Sequence, residues 1–119
     1  FKVFIIDTVG ILTKIYAVAD VAYVGGGYTK SGIHNVLEPA TFGVPVVIGP
    51  NFKKFREAKD LVNLGGVVST SDHESVNAIL KKFSEEDVFR KERGEIALNY
   101  IKQSLGASDK IMNYLKTLL

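Results

Sequence analysis

The sequence predicts an α/β domain: a parallel sheet with helices packed on both faces. Three observations lead there. Short apolar runs, such as residues 1–6 apart from Lys2 and residues 45–48, have the composition of parallel strands buried on both sides. Between them lie stretches whose apolar residues recur at helical spacing, as Phe55, Ala58, Leu61 and Val62 do. Glycine or Gly-Pro punctuates most of the junctions, so the connections are short.

In chain order, residues 1–6 read as a buried strand interrupted only by Lys2. Asp7 or Thr8 can cap a helix over 9–19, with Ile11, Leu12, Ile15, Tyr16 and Ala19 as its inward stripe. A second strand covers 21–24 and ends at Gly25-Gly26-Gly27. A short helix follows over 35–42, closed by Gly43; Pro39 is awkward there unless it lies in the first turn, where a missing N–H costs little. The third strand, 46–48, stops at Gly49-Pro50, and a helix over 55–64 stops at Gly65-Gly66. Residues 67–68 form a short fourth strand. Ser71 with Glu74, and more weakly Ser84 with Asp87, read as capping boxes opening helices over 72–83 and 85–104. The longer helix carries Phe89, Ile96, Ala97, Tyr100 and Ile101 on one face. Gly106 stops it, and Ser108 caps a last helix whose buried face is Ile111, Met112, Leu115 and Leu118.

The 119 residues allow one domain with a real core. Hydrophobic content of 46% and charged content of 24% are those of a globular domain, and no window approaches the roughly 18 apolar residues of a membrane span. No signal-peptide pattern is present. The absence of cysteine excludes disulfides and thiolate chemistry. A net charge of +2 is too balanced for a nucleic-acid partner. Lys53, Lys54 and Arg56 cluster after Pro50; they read as a solvated face, with a phosphate or lipid-headgroup patch as the alternative. A chain opening inside a strand without Met reads as cut from something longer. In a sheet ordered 3-2-1-4-5-6, residues 1–6 would be the third strand and 21–24 the fourth, with the two strands between them absent.

The glycine cluster fails both standard phosphate-loop patterns. Gly25 and Gly27 begin a G-x-G-x-x-G fingerprint, but Lys30 stands at the third glycine; Gly27 and Gly32 have Walker spacing, yet Ile33-His34 replaces Lys-Ser/Thr. Glycines ahead of a helix start still leave N–H groups aligned with the helix dipole, which suits an anion. The competing explanation is a tight strand-to-helix turn. Glu38 can accept from a ribose diol or simply serve the helix dipole. Asn35 can cap the helix, donate to a phosphate, or both. His34 gains interest from its neighbours Gly32, Asn35 and Glu38. The loop Asp7-Thr8-Val9-Gly10 lies at the same sheet edge, as a second ligand loop or a plain helix cap. His34 and His73 lack ligand-like spacing, so no metal site is expected, and no nucleophile–base pair is evident.

Taken together, Gly25-Gly26-Gly27, Gly32-Ile33-His34-Asn35, Leu37-Glu38-Pro39-Ala40, Phe42 to Val46 and Gly49-Pro50 resemble the 3-deoxy-D-manno-octulosonic acid (Kdo) transferases. Asp7-Thr8-Val9-Gly10 resembles that family's Asp-Thr-Met-Gly loop, with Val9 in place of Met and Ile11 where an acidic residue is common. Lys30-Ser31 stands where arginine and glycine are frequent. The resemblance implies a Rossmann-like sheet that is part of the carboxyl-terminal domain of a GT-B glycosyltransferase, with residues 1–119 as the nucleotide-sugar donor-binding unit and the amino-terminal acceptor domain absent. By that resemblance the donor is CMP-Kdo, and Asp7, Thr8, Gly10, Gly26, Gly27, Lys30, Ser31, Gly32, His34, Asn35 and Glu38 line its site. Glu38 would meet the ribose hydroxyls, and Asn35 with the backbone near Gly32 the phosphate. The general base, the lipid A precursor acceptor and the membrane-associating surface would belong to the absent domain, at the cytoplasmic face of the bacterial inner membrane in lipopolysaccharide biosynthesis. No cofactor, metal or nucleic-acid partner is implied, and no catalytic residue falls in this chain. A GT-B domain for another nucleotide sugar, or a nucleotide-binding module without chemistry, are the alternatives.

Overall fold

Val46, Val47 and Ile48 are fully buried and form β2 (Val46–Ile48), the middle strand of the sheet. The computed structural model describes residues 3–6, 10–105 and 115–118. Two parallel strands flank β2: β1 (Ala22–Tyr23) and β3 (Val67–Ser69), giving the sequential order β1-β2-β3. Ala22 pairs with Val46, and Val46 in turn with Val67, so side chains alternate in step across all three strands. A central strand of β-branched residues buried on both faces is what the apolar run predicted.

One face of the sheet carries the core. Val24, Val46, Ile48 and Val67 pack with Ala40 of α2 (Leu37–Thr41), Ala58 and Leu61 of α3 (Arg56–Leu64), and Ala97 and Ile101 of α5 (Asp87–Leu105). Full burial of Leu61 or Ile101 stabilises the fold by about 1.5–3 kcal/mol each. Leu115, in the helical residues 115–118, packs against the same cluster. On the other face Tyr23 remains 47% exposed beside α4 (His73–Glu85).

Pro39 is the third residue of α2 and so inside its first turn, because the helix starts at Leu37 rather than at 35. Gly43 (φ 69°) closes that helix: its N–H donates to Ala40 O (3.0 Å) and the Val44 N–H to Pro39 O (3.2 Å). These two bonds satisfy the last carbonyls and turn the chain at once into β2.

Four expectations are corrected. Residues 3–6 form no strand: Phe4 is 80% and Ile5 91% exposed, because an apolar run specifies burial but not a pairing partner, and the described residues offer it none. The helix expected over 9–19 contracts to α1 (Leu12–Tyr16), which has no side-chain cap and no buried residue. After it the chain tightens into three-residue turns, Val18 N–H to Ile15 O and Ala19 N–H to Tyr16 O. The capping box of α4 is Asp72 with Ser75, one residue beyond Ser71 with Glu74. The shift arises because Thr70 prolongs the β3 ladder, its N–H and hydroxyl both donating to Ile48 O at 2.8 and 2.7 Å. Ser84 caps nothing; it lies within α4 and donates to Lys81 O, while Asp87 pairs with Arg90 (2.8 Å). Gly106, Ser108, Ile111 and Met112 lie outside the described residues.

Candidate functional site

At the carboxyl ends of β1 and β2, two loops 20 residues and more apart in sequence are joined backbone to backbone. The Asn51 N–H donates to Gly27 O (2.8 Å), the Ile33 N–H to Asn51 O (3.3 Å), and the Asn51 side-chain amide to Thr29 O (2.8 Å). The His34 N–H closes the glycine loop on itself through Gly25 O (2.9 Å). From the far side, the Tyr28 hydroxyl meets Thr70 Oγ1 (2.9 Å), tying the loop to the end of β3.

This arrangement explains most of the glycines. Gly26 (φ 90°) leaves no room for a Cβ against the Gly32 carbonyl oxygen, and a Cβ on Gly27 would stand 2.5 Å from Gly49 N. Gly32 (φ 87°) lies beneath the Phe55 ring and the Lys54 stem, at 2.8 and 3.0 Å from an added Cβ. Close backbone approach therefore accounts for Gly26, Gly27 and Gly32. Gly25 differs: its added Cβ would touch only the His34 ring at 3.8 Å.

The side chains divide by what they already hold. Asn35 Oδ1 accepts the Leu37 N–H (2.8 Å), an Asx turn that opens α2 and leaves the amide NH2 as the free end. Thr29 Oγ1 donates to Gly26 O (2.7 Å), so in its 3.0 Å contact with Ser31 the serine hydroxyl is the donor. Ser31 thus presents lone pairs outward and must rotate to donate to an anion. His34 is exposed, with its ring over Gly25 and Gly26. Lys30 is exposed and receives Lys54 Nζ at its carbonyl (3.4 Å).

Ile33, His34, Asn35, Val36, Leu37, Phe55, Glu57 and Ala58 line a cavity of about 270 Å³ between the loops and α3. Glu38 is not in its wall. It is half-buried on the side of α2 that meets α1, where its charge is felt by Tyr16. Burial first, and then Glu38, push the Tyr16 phenol above its ordinary value. Gly10 (φ 95°) leads into α1 with open space around it, and Asp7 and Thr8 lie outside the described residues. The structure therefore brings Gly26, Gly27, Lys30, Ser31, Gly32, His34 and Asn35 together and sets Glu38 toward α1. Asn51 is a neighbour with no signal in the sequence; Lys54 reads there as part of a solvated cluster or phosphate patch, Phe55 as a helix-face residue, and Gly49-Pro50 as a strand stop within the family resemblance. A larger apolar groove, lined by Tyr23, Tyr28, Asp72, His73, Val76 and Leu80, opens by the other sheet face, away from His34 and Asn35. Among the described residues no cluster of His, Asp and Glu suits a metal ion, and no helix is long and apolar enough to cross a membrane.

No protein-family model matches the chain. It is 34% identical over 119 residues to the 3-deoxy-D-manno-octulosonic acid transferase of Haemophilus influenzae, covering 95% of this chain and 27% of that protein. The transferase of Aquifex aeolicus is 39% identical over 64 residues, covering 54% and 18%. A bifunctional glycosyltransferase/methyltransferase of Fusobacterium nucleatum is 32% identical over 124 residues, covering 97% of this chain and 19% of that protein. Among solved structures, the C-terminal CMP-Kdo binding domain of WaaA from Acinetobacter baumannii superposes with a TM-score of 0.69 at 30% identity, covering 77% of this chain and 49% of that one. The chain spans about a quarter of the length of the curated relatives it matches over most of its own. The resemblance read from the Gly32 to Pro39 core thus extends across the chain and to its fold.

Proposed function

We propose that this chain, which resembles the carboxyl-terminal part of the Kdo transferases, is the donor-nucleotide-binding part of a glycosyltransferase that takes Kdo from CMP-Kdo. The observation that carries this reading is the junction of the Gly25–Asn35 loop with the Gly49–Phe55 loop at the strand carboxyl ends, where open α/β sheets bind ligands. Asn35 suits the phosphate: its oxygen is held by Leu37, so its NH2 is the donor that faces away. Glu38, between α2 and α1, is placed to accept from ribose hydroxyls if the nucleoside lies along α1. By the same resemblance Asp7, Thr8 and Gly10 are further donor contacts.

In the whole protein, a base outside this chain takes the proton of the acceptor hydroxyl as that oxygen bonds to the anomeric carbon of Kdo. The bond to the phosphate oxygen breaks, and CMP leaves with the electron pair. The acceptor is a lipid A precursor, and the site of action is the cytoplasmic face of the inner membrane. The part described here binds and orients the donor. Calorimetric titration with CMP and with UDP tests this. Selective CMP binding that is lost in Glu38→Ala supports it; equal UDP binding with no effect of Glu38→Ala overturns it.

A further inference from the structure

We infer that Lys54 is a specificity residue that takes the carboxylate of a sugar acid carried by the bound nucleotide; this rests on the donor-binding reading above. Because Gly32 has no Cβ, the aliphatic stem of Lys54 crosses directly over it, 3.0 Å from where that Cβ would be, and brings Nζ to the glycine loop. There Nζ makes one long contact, 3.4 Å to the Lys30 carbonyl, and lies 5.5 Å from the centre of the Phe55 ring. An ammonium group has three N–H donors. The single salt bridge among the described residues joins Arg90 to Asp87, so none of their carboxylates pairs with Lys54.

A nucleotide ester of a sugar acid carries two anionic groups, the phosphodiester and the carboxylate, whereas an ordinary sugar nucleotide carries no charge on the sugar. The N–H groups of Gly32, Ile33 and His34 already donate to backbone carbonyls, so on this loop the phosphate falls to the Asn35 amide, a neutral donor. The loop supplies one cation of its own, Lys30. Lys54 arrives from the other loop, held at its stem by Gly32 and beside the Phe55 ring, so less side-chain freedom is lost when it binds. Lys53 is exposed and makes no such contact. Arg56 lines an adjoining cavity with Asp60, which meets the site cavity at Leu37 and Glu57. Of the three clustered cations, Lys54 is the one in contact with the glycine loop.

The test compares CMP with CMP-N-acetylneuraminate, a CMP ester of a stable sugar acid, by calorimetry on wild type, Lys54→Ala, Lys54→Arg and Lys81→Ala. The expected result is that Lys54→Ala weakens binding of the sugar-acid nucleotide roughly tenfold or more, as loss of a charge-assisted contact does. Binding of CMP stays within about twofold, Lys54→Arg recovers part of the loss, and Lys81→Ala on α4 changes neither. Equal weakening of CMP and its sugar-acid ester makes Lys54 a phosphate contact and overturns the inference, as does no change with either ligand. Failure of wild type to bind CMP at all overturns the donor-binding reading instead, and the inference with it.

Discussion

Gly27→Ala should be far more damaging than Gly25→Ala, although the two residues are neighbours in one glycine run. A Cβ on Gly27 would lie 2.5 Å from Gly49 N and 2.6 Å from Gly49 Cα. Both obstructing atoms are backbone, and the two loops are held together by the 2.8 Å bond from Asn51 N–H to Gly27 O. No rotamer change can relieve that overlap. Overpacking a filled site typically costs about 1–3 kcal/mol, and a backbone obstruction belongs at about 3. Gly25 has an ordinary φ and only the His34 ring at 3.8 Å, so alanine there fits and restricts the unfolded chain, a gain of about 0.4–1 kcal/mol. The two variants should differ by roughly 3.5–4 kcal/mol in equilibrium urea unfolding followed by far-UV circular dichroism. Equal stabilities would refute the claim that loop-to-loop packing dictates these glycines.

Tyr100→Phe removes the 3.0 Å bond from the α5 phenol to Asp60 of α3 and should cost about 1 kcal/mol in the same assay. Burial first, then that bond, raise the Tyr100 phenol above its ordinary value. The stability it contributes is therefore complete below pH ~10 and fades as pH rises through the folded value, so the alkaline limb of unfolding should flatten in Tyr100→Phe. Asp72 shows the opposite sign: the Ser75 N–H, and then its hydroxyl, hold the carboxyl below the usual range. Its contribution is complete above pH ~4 and is lost as pH falls through the folded value; Asp72→Asn should remove that acid-sensitive part from a pH series of melting temperatures. Glu38→Gln should lower the Tyr16 phenol part of the way to its ordinary value, since burial remains the larger cause. Ultraviolet difference titration reads this, and an unmoved titration curve would place Glu38 away from α1.

Much of the fold was legible because local rules and tertiary packing agree. β2 is apolar on both faces and sits mid-sheet, and Ala58 and Leu61 recur at helical spacing and are buried. Pro39 fits where a first turn tolerates it. The misreadings fall where a local signal lacks its partner. The run 3–6 has strand composition without a neighbouring strand, and the Ser71 box yields to Asp72 because Thr70 extends the β3 ladder by one residue. In the candidate site, the Gly32 to Glu38 segment stood out by residue type. The Gly49–Phe55 loop stood out less: Phe55 reads as a helix-face residue and Lys54 as one of a basic cluster, because approach to another backbone leaves no motif of its own. The crowding of Gly27 against Gly49 explains glycines that sequence alone left divided between a turn and a ligand contact.

The central claim is that the joined glycine loop and the His34 to Glu38 segment hold a cytidine nucleotide. Titrating the 15N-labelled protein with CMP and following amide shifts by NMR tests it most directly. The account expects saturable shifts at Gly26, Gly27, Gly32, His34, Asn35 and Glu38, with Val76 and Leu80 unmoved. Shifts confined to the Tyr23–Leu80 groove, or none at millimolar CMP, would contradict it.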